Sequence, residues 1–435
     1  MRETVTAFSR HLEDGGLDAL LAEFYGEEAL PVQRQRYQAL LHRMERCELA
    51  GRAVLVSVPG RTELGGNHTD HNHGVVLAAG VHFDCLALAV SVDEPRIRVR
   101  SEGFADEIEV SLDDLEPRPE ERERPVALVR GVAHALRAAG YAVGGFDACV
   151  SGGVPMGVGL SSSAAFEVCL GRILSELRNG GRIDPVTLAR CGQAAENIHF
   201  GKPCGLMDQL ACACQGVVSI DFADPGNPAV RNVDFDFEGS GYRLAVVDTG
   251  GSHADLTPDY AAIPEEMRRA ARVLGREYAR GLTVDDVLAA APRLRREAGD
   301  RAVLRLLHFI EESDRAAAEA EALDRGDMAG FLDLVRASGD SSWRLLQNCF
   351  SPSQPLAQPI PLALTLSERF LGGDGAWRIQ GGGFAGTIQA YVPADRFEAY
   401  RAFMEGVFGP RSVLPLHIRR PGREVVFRRD AREGG

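Results

Sequence analysis

The chain has 435 residues, of which 45% are hydrophobic and 25% charged, and its formal net charge is −14. This length and composition are typical of an ordinary globular protein with a large core and two or three domains. Because nucleic-acid phosphates are bound by clustered Lys and Arg, the acidic balance argues against a general nucleic-acid binder. It does not exclude a small anionic ligand held by local backbone N–H groups.

Nine cysteines are present, an odd number without a CxxC pair, which favours free thiols in a reducing cytoplasm. The N-terminal stretch MRETVTAFSRHLEDGG is charged and lacks the apolar centre of an export signal. The longest apolar run, VVLAAGVHFDCLALAVSV from Val75, is interrupted by His82 and Asp84. This run therefore predicts two buried strands and not a membrane helix.

The first half of the chain begins with apolar residues at helical spacing over residues 17–50, which predict a helical extension. Four strand-like segments follow: AVLVSV from Ala53, CLALAVSV from Cys85, RIRVR from Arg96 and EIEVSL from Glu107. The stretch VALVRGVAHALRAAG then predicts a helix, and FDACVS from Phe146 predicts a strand that ends in a glycine-rich turn.

The second half contains the strand-like segments GVVSIDF and YRLAVVDTG, and ADPGNPAVRNV between them has the turn composition of an interdomain crossing. Amphipathic helices are expected between residues 259 and 371, followed by a hairpin in WRIQGGGFAGTIQAYV. The mixture predicts an α+β protein with one domain over residues 1–232, a second over 233–435, and a cleft between them.

The glycine- and serine-rich stretch GGVPMGVGLSSSAAFEV, from Gly152, lies between a predicted strand and a predicted helix. Glycines allow the backbone to approach a ligand closely, and a helix N-terminus offers unpaired N–H groups, so a phosphate suits this turn. The stretch lacks the Gly-Lys-Ser/Thr ending of a P-loop and the spacing of a Rossmann fingerprint. A plain glycine turn with a serine N-cap is the alternative.

Several motifs together resemble the GHMP small-molecule kinases, and among them the galactokinases. PMGVGLSSSAA is similar to the phosphate-binding motif of that family, and GRTELGGNHTDHNHG, from Gly60, to the galactokinase signature. AAENIHFGKPCGLMDQLACACQG, from Ala194, resembles the segment with the magnesium-binding glutamate and the catalytic aspartate, and DTGGSHADLTPDY the segment with a sugar-contacting tyrosine. RIQGGGFAGTIQAYV is similar to the third, glycine-rich motif.

The resemblance implies a two-domain α+β fold, with a ribosomal S5 domain 2-like N-terminal domain, a ferredoxin-like C-terminal domain, and ATP and sugar in the cleft. Asp208 would be the general base, and Arg61 would stabilise the ionised base and the charge on the transferred phosphoryl group. From local sequence alone, a helix N-cap just after Gly205 would be the favoured interpretation of Asp208, and the surrounding motif reverses that preference.

The resemblance also implies an ATP site and a Mg²⁺ site. The ATP site would comprise Gly157, Val158, Gly159, Leu160, Ser161, Ser162 and Ser163. Ser163, with Ser162 as second candidate, and Glu196 would bind Mg²⁺, which prefers a few oxygen ligands completed by water and phosphate. The simpler alternatives are capping serines and a solvated glutamate.

The sugar would be bound by Asn67, His68, Thr69, Asp70 and Tyr260. Asn67 stands where the galactokinase signature usually has a glutamate that reaches toward the C6 hydroxyl. Because asparagine is neutral and both donates and accepts, a uronic acid becomes a rival substrate.

The expected reaction is phosphorylation of galactose at C1 with ATP. Galacturonate, arabinose and N-acetylgalactosamine are alternative substrates, and a sugar and ATP sensor without catalysis is an alternative of another class. A histidine metalloprotein centred on HTDHNH is a third interpretation. We further expect a cytoplasmic monomer or small homo-oligomer without nucleic-acid or membrane partners.

Overall fold

A computed structural model describes residues 2–45, 51–102, 106–251, 256–422 and 425–429. Cys47 lies outside these ranges. So do residues 252–255, which are part of the DTGGSHADLTPDY motif. The strands in the described ranges are β1 (Ala53–Gly65), β2 (Val75–Ser91), β3 (Arg96–Ser101), β4 (Ile108–Ser111), β5 (Phe146–Gly152), β6 (Val217–Asp221), β7 (Ala229–Val233), β8 (Tyr242–Asp248), β9 (Ala376–Ile379), β10 (Thr387–Pro393), β11 (Val413–Leu416) and β12 (Val425–Arg429).

The helices in the same ranges are α1 (Arg2–Glu13), α2 (Asp18–Tyr25), α3 (Leu30–Glu45), α4 (Pro125–Ala138), α5 (Ser162–Asn179), α6 (Pro185–Ala194), α7 (Met207–Cys214), α8 (Thr257–Val273), α9 (Val284–Ala289), α10 (Ala291–Glu297), α11 (Asp300–Asp324), α12 (Met328–Ser341), α13 (Pro359–Leu371) and α14 (Phe397–Phe408). Short π-helical segments, Ala195–Phe200 and Ser342–Leu346, follow α6 and α12. The α+β prediction is confirmed.

The first sheet has eight strands in the order β12-β1-β2-β5-β3-β4, with β6 paired to β2 and to β7. β2 belongs to two pairings, because Cys85–Ser91 pairs with β5 and Val75–Ala79 pairs with β6. The prediction of two strands in this stretch is therefore wrong: one strand of 17 residues runs through His82 and Asp84.

The first sheet is covered on both faces, which explains why its strands are continuously apolar. Along β1, Val54, Val56 and Val58 pack into the core shared with α5 and α7. Leu55 points the other way and packs with the N-terminal helices α1, α2 and α3. Successive side chains of a strand face opposite sides, so a strand buried twice loses the polar alternation.

The N-terminal extension is helical, as predicted, and a buried aspartate fixes it to the sheet. The Asp84 carboxylate accepts hydrogen bonds from Tyr25 Oη at 2.7 Å and from Arg36 Nη1 at 2.6 Å. Arg419, from the C-terminal part of the chain, lies 3.7 Å from the same carboxylate. Burial alone would raise the pKa of Asp84, but the two guanidinium groups and the hydroxyl donors hold it below its usual value.

The second sheet is antiparallel, in the order β11-β8-β10-β9. The predicted hairpin in WRIQGGGFAGTIQAYV is confirmed as β9 and β10, paired from Ile379 with Ile388 to Ala376 with Tyr391. The predicted crossing in ADPGNPAVRNV is only partly a turn, because its last five residues form β7 beside β6. β12 returns to pair with β1, and the domain boundary at residues 232 and 233 stays a prediction.

No helix within the described ranges is both long and apolar enough to cross a membrane. The cysteines in those ranges form no disulfide. The two sheets meet through β1, the loop before α5 and the turn between β9 and β10, and Arg61 and the glycine-rich loop of the candidate site lie here.

Candidate active site

The glycine-rich loop between β5 and α5 has the geometry of an anion site. Gly157 and Gly159 have φ of 80° and 74°, and Ser161, at the N-cap of α5, has φ of 56°. The Ser161 side chain caps none of the N–H groups of α5. Because the first N–H groups of a helix have no intrahelical acceptor, they are available for a phosphate.

The carbonyl groups of this loop are directed into the protein. Val158 O accepts from Thr387 Oγ1 at 3.3 Å, and Gly159 O accepts from Gln380 Nε2 at 3.1 Å. Leu160 O accepts from the backbone N–H of Arg61 at 3.0 Å. A Cβ added at Gly60 would lie 2.5 Å from Leu160 O, so this close approach of β1 requires glycine.

Asp208 lies in the first turn of α7 and pairs with Arg61 of β1, whose Nε and Nη2 both lie 2.7 Å from Asp208 Oδ1. Ser161 Oγ donates to the other carboxylate oxygen, and Arg61 Nη1 donates to Gly159 O. Burial raises the pKa of Asp208, but the charge and hydrogen bond of Arg61 and the Ser161 hydroxyl outweigh it, so the pKa is below its usual value. The N-cap of α7 is Leu206, so Asp208 is not the cap.

Ser163 and Glu196 are brought together, with Ser163 Oγ 3.2 Å from Glu196 Oε1. Glu196 is buried and not solvated, and Lys202 Nζ lies 3.5 Å from its Oε1. Ser162 has no such contact with Glu196 among the hydrogen bonds of the described residues. A hydroxyl and a carboxylate oxygen side by side are ligands that suit Mg²⁺.

The signature loop between β1 and β2 faces the glycine turn between β9 and β10. His68 Nε2 lies 2.9 Å from Gly382 O, so this nitrogen carries the proton and Nδ1 is an acceptor. His68 Nδ1 has no hydrogen-bond partner in the described structure. Burial lowers the pKa of His68 to about 4, so the ring is neutral at pH 7.

The other predicted sugar residues surround His68. Thr69 is buried, and its hydroxyl donates within the loop to Gly66 O at 2.9 Å and Val75 O at 2.6 Å. Asp70 lies against the loop before α7, because a Cβ added at Gly205 would be 2.2 Å from Asp70 Oδ2. Tyr260, in α8, donates its hydroxyl to Gly383 O at 2.8 Å.

Asn67 is fully buried, and its amide contacts protein groups. Asn67 Nδ2 donates to Glu63 Oε1 at 2.9 Å and to Gly381 O at 2.7 Å. Its Oδ1 accepts from Asn348 Nδ2 at 2.8 Å. The neutral amide therefore both donates and accepts, as the sequence predicts for asparagine. Its hydrogen-bond partners, however, are other groups of the protein.

The histidines of HTDHNH are not grouped around a common point. Within the described ranges, no set of three or more His, Cys, Asp or Glu side chains is arranged to hold a metal ion. The His73 ring stacks on Tyr278 with centroids 3.9 Å apart. His71 Nε2 lies 3.6 Å from Asp70 Oδ1. The metalloprotein interpretation therefore gains no support.

Sequence reasoning missed several buried polar residues behind the site. Gln209 Nε2 donates to both Glu167 Oε2 and Glu196 Oε2 at 3.0 Å and so joins α7 to α5. Its position directly after Asp208 could have indicated that Gln209 also belongs to the site. Gln380, next to the three glycines, accepts from Thr62 Oγ1 at 2.9 Å, and no local pattern indicates this contact.

Comparison with known families gives two matches along the chain. Residues 127–216 match the GHMP kinases N terminal domain, and residues 47–91 match the galactokinase galactose-binding signature. The galactokinase of Streptomyces coelicolor is 33% identical over 353 residues, which are 81% of this chain and 88% of that protein.

Solved structures give the same fold. Lactococcus lactis galactokinase, crystallised with galactose, superposes with a TM-score of 0.75 at 24% identity, over 89% of this chain and 99% of the other. Methanococcus jannaschii mevalonate kinase superposes with a TM-score of 0.57 at 14% identity, over 84% of this chain and 98% of the other. The predicted GHMP kinase fold is confirmed.

Proposed function

Because the chain belongs to the galactokinase family of the GHMP kinases, we infer that it phosphorylates galactose at the C1 hydroxyl with ATP, giving α-D-galactose 1-phosphate and ADP. One observation carries the chemistry: Asp208, held ionised by Arg61 and Ser161, lies beside the open N-terminus of α5. A carboxylate base next to a phosphate site is the arrangement that phosphoryl transfer to a hydroxyl requires.

We propose that Asp208 accepts the proton of the C1 hydroxyl while that oxygen attacks the γ-phosphorus of ATP. The bond between the γ-phosphorus and the β–γ bridging oxygen breaks, and ADP leaves. Arg61 remains a cation throughout, since burial is opposed by its carboxylate partner, and stabilises charge on the base and on the transferred group. The loop from Gly157 to Ser163 and the N-terminus of α5 position the phosphates.

We propose Ser163 and Glu196 as the protein ligands of Mg²⁺. Their oxygens are 3.2 Å apart and of the kind that the ion prefers, so the residues fit the group. When bound, the ion would neutralise part of the negative charge of the phosphates. Gln209 orients the Glu196 carboxylate from behind.

The sugar-facing groups support galactose over galacturonate. The neutral His68 ring has a buried Nδ1 acceptor without a partner in the described structure, and the Asp70 carboxyl group lies near this ring. Such groups bind hydroxyls, which donate, whereas a C6 carboxylate would bring another acceptor. We therefore propose that His68, Asp70 and Tyr260 contact the sugar directly, and that Thr69 contributes by shaping the loop.

A substrate panel with purified protein and labelled ATP tests the proposal. Galactose should give the highest kcat/KM among galactose, galacturonate, arabinose and N-acetylgalactosamine, and a galacturonate value far above that of galactose would overturn it. Asp208→Asn should abolish turnover while ATP and galactose still bind. The matched control is Asp147→Asn, which removes a carboxylate paired with Arg96 outside the site. Near wild-type turnover by Asp208→Asn would favour a different base.

We further propose that the enzyme works in the cytoplasm as a monomer or small homo-oligomer, with no nucleic-acid or membrane partner. We also propose that its domains meet near residue 232, at the end of β7. Sedimentation of the purified protein checks the oligomeric state, and limited proteolysis around residue 232 checks the domain boundary.

A further inference from the structure

Asn67 is bonded to the protein through every polar atom it has. Its side chain contacts Glu63, Gly381 and Asn348. Its backbone O accepts from His308 Nε2 at 2.9 Å, and its backbone N–H is directed at a carboxylate oxygen of α11 at 3.4 Å. Both amide N–H groups and the amide oxygen are thus engaged without a sugar.

Glu63 is the carboxylate that contacts the Asn67 side chain. Its Oε1 accepts from Asn67 and also from Arg378 Nη2 at 2.7 Å. All three side chains are buried, with exposed fractions of 3%, 0% and 0% for Glu63, Asn67 and Arg378. Burial raises the pKa of Glu63 while the Arg378 charge opposes that rise. One carboxylate, one guanidinium and one neutral amide therefore form a compact unit.

This unit holds the glycine turn. Asn67 fixes Gly381 O, and Gln380, the residue before it, donates to Gly159 O of the phosphate loop at 3.1 Å. The Asn67 side chain is therefore connected to the phosphate loop, which we propose binds ATP, through the adjacent residues Gly381 and Gln380. A displacement of the turn would displace the loop.

We propose that Asn67 and Glu63 form a coupled pair in which Asn67 is a positioning residue for the glycine turn and Glu63 carries the charge that position 67 usually carries in the galactokinase signature. The inference rests on the proposed function of this site. It assigns Asn67 a part other than the sugar contact expected from its position in the motif. Specificity at C6 then lies with the neighbouring groups.

Restoring the usual glutamate by itself should therefore damage the site. Asn67→Glu adds a further buried carboxylate near Arg378, which already interacts with Glu63, Glu312 and Glu319. It also removes the donor to Gly381 O, since an ionised carboxylate only accepts. We expect kcat with galactose to fall by about 100-fold, the cost that a displacement of roughly 1 Å can carry. The exchange variant Glu63→Asn/Asn67→Glu keeps one carboxylate and one amide in contact. It should recover part of the lost kcat, about tenfold over Asn67→Glu, because it adds no carboxylate to the pair, while position 67 still lacks the donor to Gly381 O.

The experiment compares wild type, both variants and Asn232→Glu, which adds the same charge at an exposed asparagine of β7 and should change nothing. Melting temperature is measured alongside kcat and KM, and it should fall in Asn67→Glu and recover in the exchange variant. Wild-type or higher kcat in Asn67→Glu would overturn the proposal, and so would an exchange variant that is no better than Asn67→Glu or does not fold. If wild type phosphorylates no galactose, the proposed function fails. The melting temperature of the exchange variant then still shows whether Asn67 and Glu63 are coupled.

Discussion

Replacing Arg61 with methionine should move the acidic limb of the pH–rate profile into the range of ordinary assays. Asp208 must be ionised to accept a proton, so activity is lost as pH falls through its pKa. In the wild type, Arg61 and Ser161 hold that pKa below its usual 3.8 against the effect of burial. Without Arg61, burial remains as the largest cause and raises the pKa.

The size of the shift follows from the geometry. A guanidinium in direct contact with a carboxylate lowers its pKa by about 1–3 units, and each unit corresponds to about 1.4 kcal/mol. Removing the cation at 2.7 Å therefore moves the acidic limb to higher pH than in the wild type. Loss of charge stabilisation on the phosphoryl group should also lower kcat at pH 8 by about 10²–10³-fold.

The assay is kcat/KM for galactose between pH 4.5 and 9, with ATP saturating. Arg61→Lys, which keeps the charge, should shift the limb less than Arg61→Met. The control Arg96→Met removes an arginine of another Arg–Asp pair, between β3 and β5, and should leave the profile unchanged. A profile of Arg61→Met that runs parallel to wild type at every pH would refute the coupling between Arg61 and Asp208.

Three further changes test other parts of the structure. Glu196→Gln should raise the Mg²⁺ concentration for half-maximal rate by at least about tenfold, because a neutral amide binds the ion more weakly; an unchanged Mg²⁺ titration would contradict its role as a ligand. Ser161→Ala removes one donor to Asp208, so the acidic limb of its pH–rate profile should move to higher pH, but by less than in Arg61→Met. A shift to lower pH would contradict the role of Ser161 as a donor. Tyr25→Phe removes a buried donor to Asp84 and should lower the free energy of unfolding in urea by about 1–3 kcal/mol with kcat unchanged; an unaltered unfolding midpoint would show that the contact contributes nothing.

Local patterns were sufficient where the structure depends on neighbours in sequence. The strand before Gly152, the glycine loop and the helix after Ser161 were predictable because backbone freedom and helix capping are properties of a short stretch. The hairpin of β9 and β10 was predictable for the same reason. The resemblance to a known family placed Asp208 and Arg61 in one site before their contact was visible.

Local patterns failed where partners come from distant parts of the chain. Asp84 suggested a break in the apolar run, but Arg36 and Arg419 neutralise it and the strand continues. The segment of β7 has turn residues and polar side chains, yet backbone pairing with β6 makes it an edge strand. The contact between Asn348 and Asn67 was also not predictable, because no local rule connects the two segments.

The pairing of β12 with β1 also sets the order in which the protein can be completed during synthesis. Ala53 pairs with Arg429, and Leu55 with Phe427, so the two strands are synthesised far apart in time. At ~5–20 residues per second, roughly 20–75 s separate them on the ribosome. For that interval the outer edge of β1 lacks its partner and Asp84 lacks Arg419, a state that favours pairing with other chains. A chaperone that covers this edge should therefore raise the yield of folded enzyme, and slower synthesis, which lengthens the interval, should lower it.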